Sequence, residues 1–301
     1  MKYLPVEDCP VCHSKNRELY YKGTAGDHAA KDAGTGDYAC TASSYGIYFD
    51  LMKCRDCHLI YAGVHPSQED LEELYSKIED PLYCDQEEGR VRTFSRALKD
   101  LDRFCPAKGL MFEFGSYTGV FLELAKNDGW SVDGIELSGW ARDIAFKKRG
   151  IDLRSSIGSV PAARSGTCDC VAIWDVIEHV SDPVKLLRQA AELLKPGGVL
   201  GLSTIVLDSF SARLMAKRYP FLMEMHQIYF TSKTLLGLLE RCGFEILEHK
   251  KHARFVSWFY LFTRNKNLAF LNNSPLLAKV LKKRFVQLSV GVRDVYARKR
   301  F

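Results

Sequence analysis

A chain of 301 residues, 47% of them hydrophobic, has ample apolar content for one large α/β domain plus a smaller module. Its amino terminus, MKYLPVEDCP, lacks the basic stretch and long apolar run of a signal peptide, and its longest apolar stretch, Phe255 to Phe262, is interrupted by Ser257 and too short to span a bilayer. The net charge of +5 hides an asymmetry, because residues 251–301 carry twelve Lys/Arg and a single acid, Asp294, whereas the rest of the chain is net acidic.

Ten cysteines, four of them in two CxxC pairs, suit a cytoplasmic protein with a metal site. Cys9-Pro10-Val11-Cys12 and Cys54-Arg55-Asp56-Cys57 are separated by 41 residues. Four thiolates in two knuckles form the soft donor set of a closed, tetrahedral, structural Zn²⁺ site, and a small β module needs such a staple. A redox dithiol pair is the competing reading. His13 and His58 each follow a CxxC, but a four-thiolate site needs no histidine. Residues 22–46, rich in Gly, Ala, Ser and Asp, read as a long surface loop with Cys40 as a bystander, and Tyr45 to Met52 alternates towards a strand. Residues 1–64 are therefore assigned as a zinc-binding module.

Residues 65–105 read as a helical linker or lid. Ser67 caps an acidic helix over 65–77, Pro81 breaks it, and a second helix runs from Glu87 to Phe104 with Val91, Phe94, Leu98 and Leu101 on one face.

Residues 110–136, LMFEFGSYTGVFLELAKNDGWSVDGIE, read as strand, glycine turn, helix and strand. Gly115 and Gly119 let the backbone approach a ligand where a Cβ would collide, and the following helix points its free N–H groups there. Glu136 lies 21 residues after Gly115, close to the spacing of ~20 at which a carboxylate meets ribose hydroxyls. Further along come a helix over 139–149, a third strand at 151–155, a buried strand from Cys168 to Asp175, a helix capped by Asp182-Pro183 that stops at KPGG, and a fifth strand from Val199 to Ile205. Alternating strands and helices imply a parallel sheet with right-handed crossovers. The remaining elements are an irregular helix within 206–224, a helix over 231–242, a sixth strand at FEILEH, an amphipathic basic helix over 275–288, and a final antiparallel strand in VGVRDVYARKR. The basic helix is read as docking on the domain, with peripheral membrane contact through the basic C-terminal region as the alternative.

The ordered set EFGSYTG, GIEL, WDVIEHVSDP, LLKPGG and MHQIYFTSKTLLGLLERCGFEI resembles the class I S-adenosylmethionine-dependent methyltransferases. The CPxC…CxxC module followed by the P-S-x-x-x-L-x-x-x-Y helix resembles a bacterial branch with an N-terminal zinc-binding region. The resemblance implies a doubly wound, seven-stranded Rossmann-like sheet over residues 106–301, with acceptor-side insertions at 206–224 and 263–288. It also implies that Glu113, Gly115, Ser116, Tyr117 and Gly119 line the amino-acid part of the cofactor, that Glu136 holds the ribose, that Leu137 lies beside the adenine, and that Trp174 and Asp175 border methyl transfer. Tyr117 stands where the family most often has a glycine.

His179 and His226 are the candidate bases. Asp175, Glu178 and His179 are also placed to hold a divalent ion that deprotonates a hydroxyl. The expected acceptor is a small molecule or glycan, anionic if the basic residues contact it. An (Asn/Asp)-Pro-Pro-(Tyr/Phe) segment is missing after the fourth strand, which disfavours methylation of a base nitrogen and hence a nucleic-acid acceptor. A zinc-containing RNA methyltransferase and a non-catalytic cofactor-binding module are the competing functions.

Overall fold

The computed structural model describes residues 3–26, 35–42, 44–264 and 274–300. The N-terminal part holds β1 (Tyr3–Pro5), β2 (Arg17–Tyr21), β3 (Leu51–Cys54), β4 (Ile60–Ala62) and β5 (Val64–Pro66). Three helices follow: α1 (Gln68–Ser76), α2 (Pro81–Asp85) and α3 (Glu87–Phe104). Ser67 caps α1 by accepting from the Asp70 amide at 3.1 Å, as its position before an acidic first turn predicts. Helix α3 has the predicted bounds. It buries Ala97, Leu98 and Leu101 and leaves Arg92, Arg96 and Lys99 in solvent.

The α/β part runs β6 (Leu110–Phe114), α4 (Val120–Asn127), β7 (Ser131–Ile135), α5 (Gly139–Arg149), β8 (Cys168–Trp174), α6 (Pro183–Leu193) and β9 (Leu194–Ile205). After these come α7 (Phe210–Met215), β10 (Ile228–Tyr229), α8 (Ser232–Arg241), β11 (Phe244–Lys251), β12 (Arg254–Ser257), α9 (Trp258–Arg264), α10 (Pro275–Lys283), β13 (Phe285–Leu288) and β14 (Val292–Lys299). The main sheet has the order β11-β14-β9-β8-β6-β7, with β6 to β9 parallel and β14 inserted antiparallel between β9 and β11. Helices α3, α4 and α5 cover one face around Leu101, Phe121 and Ala145, while α6 and α8 cover the other around Leu187 and Leu239. Each leucine-sized side chain fully removed from water contributes about 1.5–3 kcal/mol before entropy is counted.

Three expectations are corrected. Among the described residues the main sheet has six strands, not seven. The third strand at 151–155 is reduced to a single parallel bridge, Ile135 to Arg154, because only Ile151 and Leu153 are buried there and polar residues follow at once. The basic helix stops at Lys283, where Arg284 turns extended, and Phe285–Leu288 instead pairs antiparallel with β12. The helix that remains, α10, fully buries none of its residues and leaves Leu276 81% and Val280 54% exposed; it packs on α9, where Lys282 Nζ lies 4.8 Å from the Phe259 ring centroid. Finally, the 22–46 segment is not all surface. Tyr38, Ala39, Thr41 and Ala42 are buried, and Asp80 accepts from the Thr41 amide at 2.9 Å; residues 27–34 and 43 lie outside the described set.

The N-terminal part is joined to the α/β part by its backbone. Strand β10 pairs antiparallel with β4, extending the β2-β3-β4 sheet to β10-β4-β3-β2. Val6, Leu59 and Tyr61 belong to the same buried cluster as Phe112 and Leu187. Among the described residues no helix is long and apolar enough to cross a membrane.

Candidate active site

The glycine turn after β6 is built on left-handed backbone. Gly115, Tyr117 and Gly119 have φ of 67°, 47° and 79°. A Cβ on Gly115 would meet Val176 Cγ2 at 2.6 Å, and one on Gly119 would meet Ala145 Cβ at 3.1 Å, so glycine is required at the first and favoured at the second. Tyr117 accepts an unfavourable φ because its ring is held from outside: its centroid lies 4.2 Å from Tyr83 and 6.1 Å from Trp140. Tyr83 in turn lies under the Arg90 guanidinium at 3.3 Å. The residue that departs from the family pattern is therefore the one that ties the turn to α2 and α3.

Glu136, at the end of β7, is buried and holds the turn in place. Its carboxylate accepts from the Tyr117 amide at 2.8 Å and the Ser138 amide at 2.7 Å. Burial raises its pKa, and those two amides oppose the rise. Leu137 beside it is half-buried, and its carbonyl accepts from Arg142 at 2.7 Å. Ser116 is buried and its hydroxyl donates to the Glu113 carbonyl at 3.2 Å. Glu113 is 2% exposed, and one carboxylate oxygen has no partner. Burial pushes its pKa well up. The Tyr117 hydroxyl is likewise buried and unpartnered. Orphaned polar atoms beside a turn that excludes Cβ atoms fit a polar ligand with a narrow backbone-facing part, such as the amino-acid end of S-adenosylmethionine.

Trp174 packs in the core, 5.3 Å from Phe121 and against Gly201, where a Cβ would lie 2.9 Å from the indole. Asp175 follows with φ of 53°. It accepts from the Ser203 hydroxyl at 2.9 Å and forms an ion pair with Arg254. Burial acts to raise Asp175, but the Arg254 guanidinium, the neighbouring His252 and His179 and the Ser203 hydrogen bond together more than offset it and hold the carboxyl below its ordinary value.

His179 and His226 come together with their ring centroids 4.8 Å apart. His179 Nδ1 lies 3.2 Å from both the Met225 carbonyl and the Tyr75 hydroxyl, and His226 Nδ1 lies 2.9 Å from the Phe221 carbonyl. Burial drives His179 down to about 3 and His226 down to about 4, so both are neutral at physiological pH. Glu178 is 1% exposed. Burial, reinforced by the charge of Asp175, pushes it up to about 8. The Thr204 hydroxyl donates to it at 2.9 Å. The divalent-ion group is corrected by this arrangement: Asp175 is committed to Arg254, and His226 joins Glu178 and His179 instead, with donor atoms within 4.8 Å of one another.

The four cysteines also converge. Cys9 and Cys57 sulfurs are 3.5 Å apart, as are those of Cys12 and Cys54, and all four lie within 4.8 Å of one another. A tetrahedral ion with bonds of about 2.3 Å needs sulfurs about 3.8 Å apart, so the chemistry and spacing of the donor set fit zinc. His13 and His58 serve the knuckles as left-handed turn residues, φ 58° and 63°, and stand outside the metal-capable group.

Two residues escaped the sequence reading. Arg254 follows Asp175 by 79 positions in a segment without a motif; its strand is pinned to α3, where Thr93 Oγ1 accepts from the Phe255 amide at 2.9 Å. Tyr75 carried a signal, since it closes the P-S-x-x-x-L-x-x-x-Y helix.

A methyltransferase-domain family profile matches residues 87–249, just over half of the chain. The chain belongs to this family. It carries a class I domain of the S-adenosylmethionine-dependent kind. Among curated proteins it is 29% identical over 165 residues to a ubiquinone biosynthesis O-methyltransferase of Dinoroseobacter shibae, covering 50% of this chain and 66% of that protein. It is 25% identical over 252 residues to the C-methyltransferase NovU of Streptomyces niveus, covering 81% of this chain and 57% of that protein. The chain thus spans between about half and two thirds of these relatives. A solved structure from Thermotoga maritima, described as an S-adenosylmethionine-dependent methyltransferase and possible histamine N-methyltransferase, aligns with 21% identity and a TM-score of 0.46 over 69% of this chain and 89% of that one.

Proposed function

We propose that this chain transfers the methyl group of S-adenosylmethionine to an oxygen or carbon of a small-molecule or glycan-type acceptor. The observation that carries the reading is the convergence of Glu178 and His179, just after β8, with His226, just before β10: Glu178 and His226 are buried, His179 is half-buried, and all three are held by backbone carbonyls and hydroxyls. A buried polar cluster at the carboxyl end of the central strand suits an acceptor that must lose a proton, and it is reached by a small ligand more readily than by a folded nucleic acid. The names of the two curated relatives, an O- and a C-methyltransferase, accord with such acceptors.

When bound, the cofactor supplies a methyl group already activated by its sulfonium, so the protein's work is orientation and proton management. In this reading Gly115, Ser116, Tyr117 and Gly119 receive the amino-acid portion, and Glu113 meets its ammonium. Glu136 holds the ribose hydroxyls with the lone pairs left over from the loop amides, and Leu137 flanks the adenine. Asp175, fixed by Ser203 and Arg254, borders the reacting centre, while Trp174 supports that wall from behind. The acceptor loses its proton at the Glu178–His179–His226 cluster. Cys9, Cys12, Cys54 and Cys57 hold a structural Zn²⁺ whose module, through β4 and β10, steadies the segment carrying His226.

The test is turnover with isotopically labelled S-adenosylmethionine against a panel of sugars, phenols, lipids and RNA. Label transfer to a small molecule, abolished in His226→Ala, supports the reading. Transfer to RNA alone would replace it with the nucleic-acid alternative.

A further inference from the structure

Three observations about Glu178, His179 and His226 go beyond placing an acceptor. Their donor atoms lie within 4.8 Å of one another, yet among the described residues no hydrogen bond joins the three side chains. Each is instead bonded outward. The Glu178 carboxylate accepts from Thr204 at 2.9 Å, His179 Nδ1 faces the Met225 carbonyl at 3.2 Å, and His226 Nδ1 faces the Phe221 carbonyl at 2.9 Å. A carbonyl can only accept, so it fixes the proton on Nδ1 and leaves the lone pair on Nε2. Imidazoles whose one nitrogen is held by a backbone carbonyl have the outer support found around metal ligands.

The surrounding backbone is also preset. The Glu178 carbonyl accepts both the Gln227 amide at 2.8 Å and the Ile228 amide at 3.1 Å, while the Gln227 side chain donates to the His179 carbonyl at 2.7 Å. These bonds strap the turn after β8 to the segment before β10, so the histidines are held in mutual reach without a ligand between them.

We propose that Glu178, His179 and His226 form a divalent-cation site in the acceptor pocket, separate from the cysteine cluster. Two imidazoles and one carboxylate suit Mn²⁺, Fe²⁺ or Zn²⁺ and leave coordination positions open for the acceptor. The inference rests on the methyl-transfer reading and specifies how the proton is lost. A hydroxyl of the acceptor bound to the cation releases its proton to solvent near neutral pH. The resulting oxygen anion attacks the methyl carbon; the O–C bond forms as the C–S bond breaks, the electron pair stays on sulfur, and a neutral thioether leaves.

The experiment is Mn²⁺ titration of the intact, zinc-loaded protein, followed by loss of the free Mn²⁺ paramagnetic resonance signal. Thiolates are poor Mn²⁺ ligands, so the probe does not report on the cysteines. One site is expected in the native chain, weakened in both Glu178→Gln and His226→Asn by more than the roughly 10–100-fold that loss of an outer-shell partner costs. The near-isosteric Glu178→Gln keeps the bond to Thr204 and guards against a folding artefact. Absence of Mn²⁺ binding, or equal binding in native and variant chains, overturns the site even if methyl transfer is observed. Binding that disappears in the variants supports the site even if no acceptor on the panel is methylated, and in that case it is the methyl-transfer reading that fails.

Discussion

The two clusters of metal-capable side chains differ in how the chain assembles them. The cysteines form two short knuckles of like donors, and their sulfurs lie against one another at 3.5 Å in each of two pairs. Glu178, His179 and His226 are unlike donors from two segments, and they bond outward to the scaffold instead of to each other. The first kind of site is written in local spacing; the second exists only once β8 and β10 are in place. The strands connect them, because β4 emerges from the cysteine module and pairs with β10 beside His226. Damage to the first cluster should therefore reach the second, whereas damage to the second should leave the first intact.

The largest effect is expected from Cys54→Ser. It should lose bound zinc and unfold roughly 10 °C or more below the native chain, and the activity remaining below the melt should fall with it. Metal analysis and calorimetric melting check this; full zinc occupancy in the variant would separate the cysteines from metal binding. His226→Ala comes next. Turnover should drop about 10²–10⁴-fold while zinc content and S-adenosylmethionine affinity stay within twofold. A loss of zinc in that variant would break the one-way relation between the clusters.

Glu113→Gln probes the turn between them. A carboxyl whose pKa is raised by burial binds its proton more tightly in the folded state, so it lowers stability as pH rises from the unfolded value towards the folded one. The ligand-free variant should be increasingly more stable than the native chain from about pH 4.5 upward. Parallel denaturation curves across roughly pH 5–8 would contradict the assignment. The smallest effect is expected from Tyr117→Gly. Relief of left-handed strain, about 1–2 kcal/mol, offsets about half of the lost packing against Tyr83 and Trp140, leaving a net destabilisation of about 1–2 kcal/mol by urea unfolding.

Features with a fixed period or spacing were legible in the sequence. The stripe on Glu87–Phe104, the Ser67 cap, the two CxxC knuckles and the β6-turn-α4-β7 unit are all local, and each forms where its pattern predicts. Elements that failed to form as read depend on neighbours instead. Residues 151–155 have strand-like alternation but too little apolar length to extend past one bridge. Phe285 to Leu288 continues a helical stripe, yet pairing with β12 was available to it and prevailed. The burial of Tyr38 to Ala42 depends on Asp80, which accepts from the Thr41 amide, and no loop composition encodes that partner. The same holds for Arg254, whose role comes from the Asp175 carboxylate far away in the chain. Tyr117 is instructive because it reads as a defect in a glycine motif, and the fold turns it into the contact between that motif and the helices before it.

The central claim is that the Glu136-anchored turn binds S-adenosylmethionine, and titration calorimetry tests it most directly. The native chain should bind one equivalent, and Glu136→Ala, which removes the acceptor for both the Tyr117 and Ser138 amides, should weaken that binding about 100-fold or more. Heat of binding that is absent in the native chain, or unchanged in Glu136→Ala, would contradict the account.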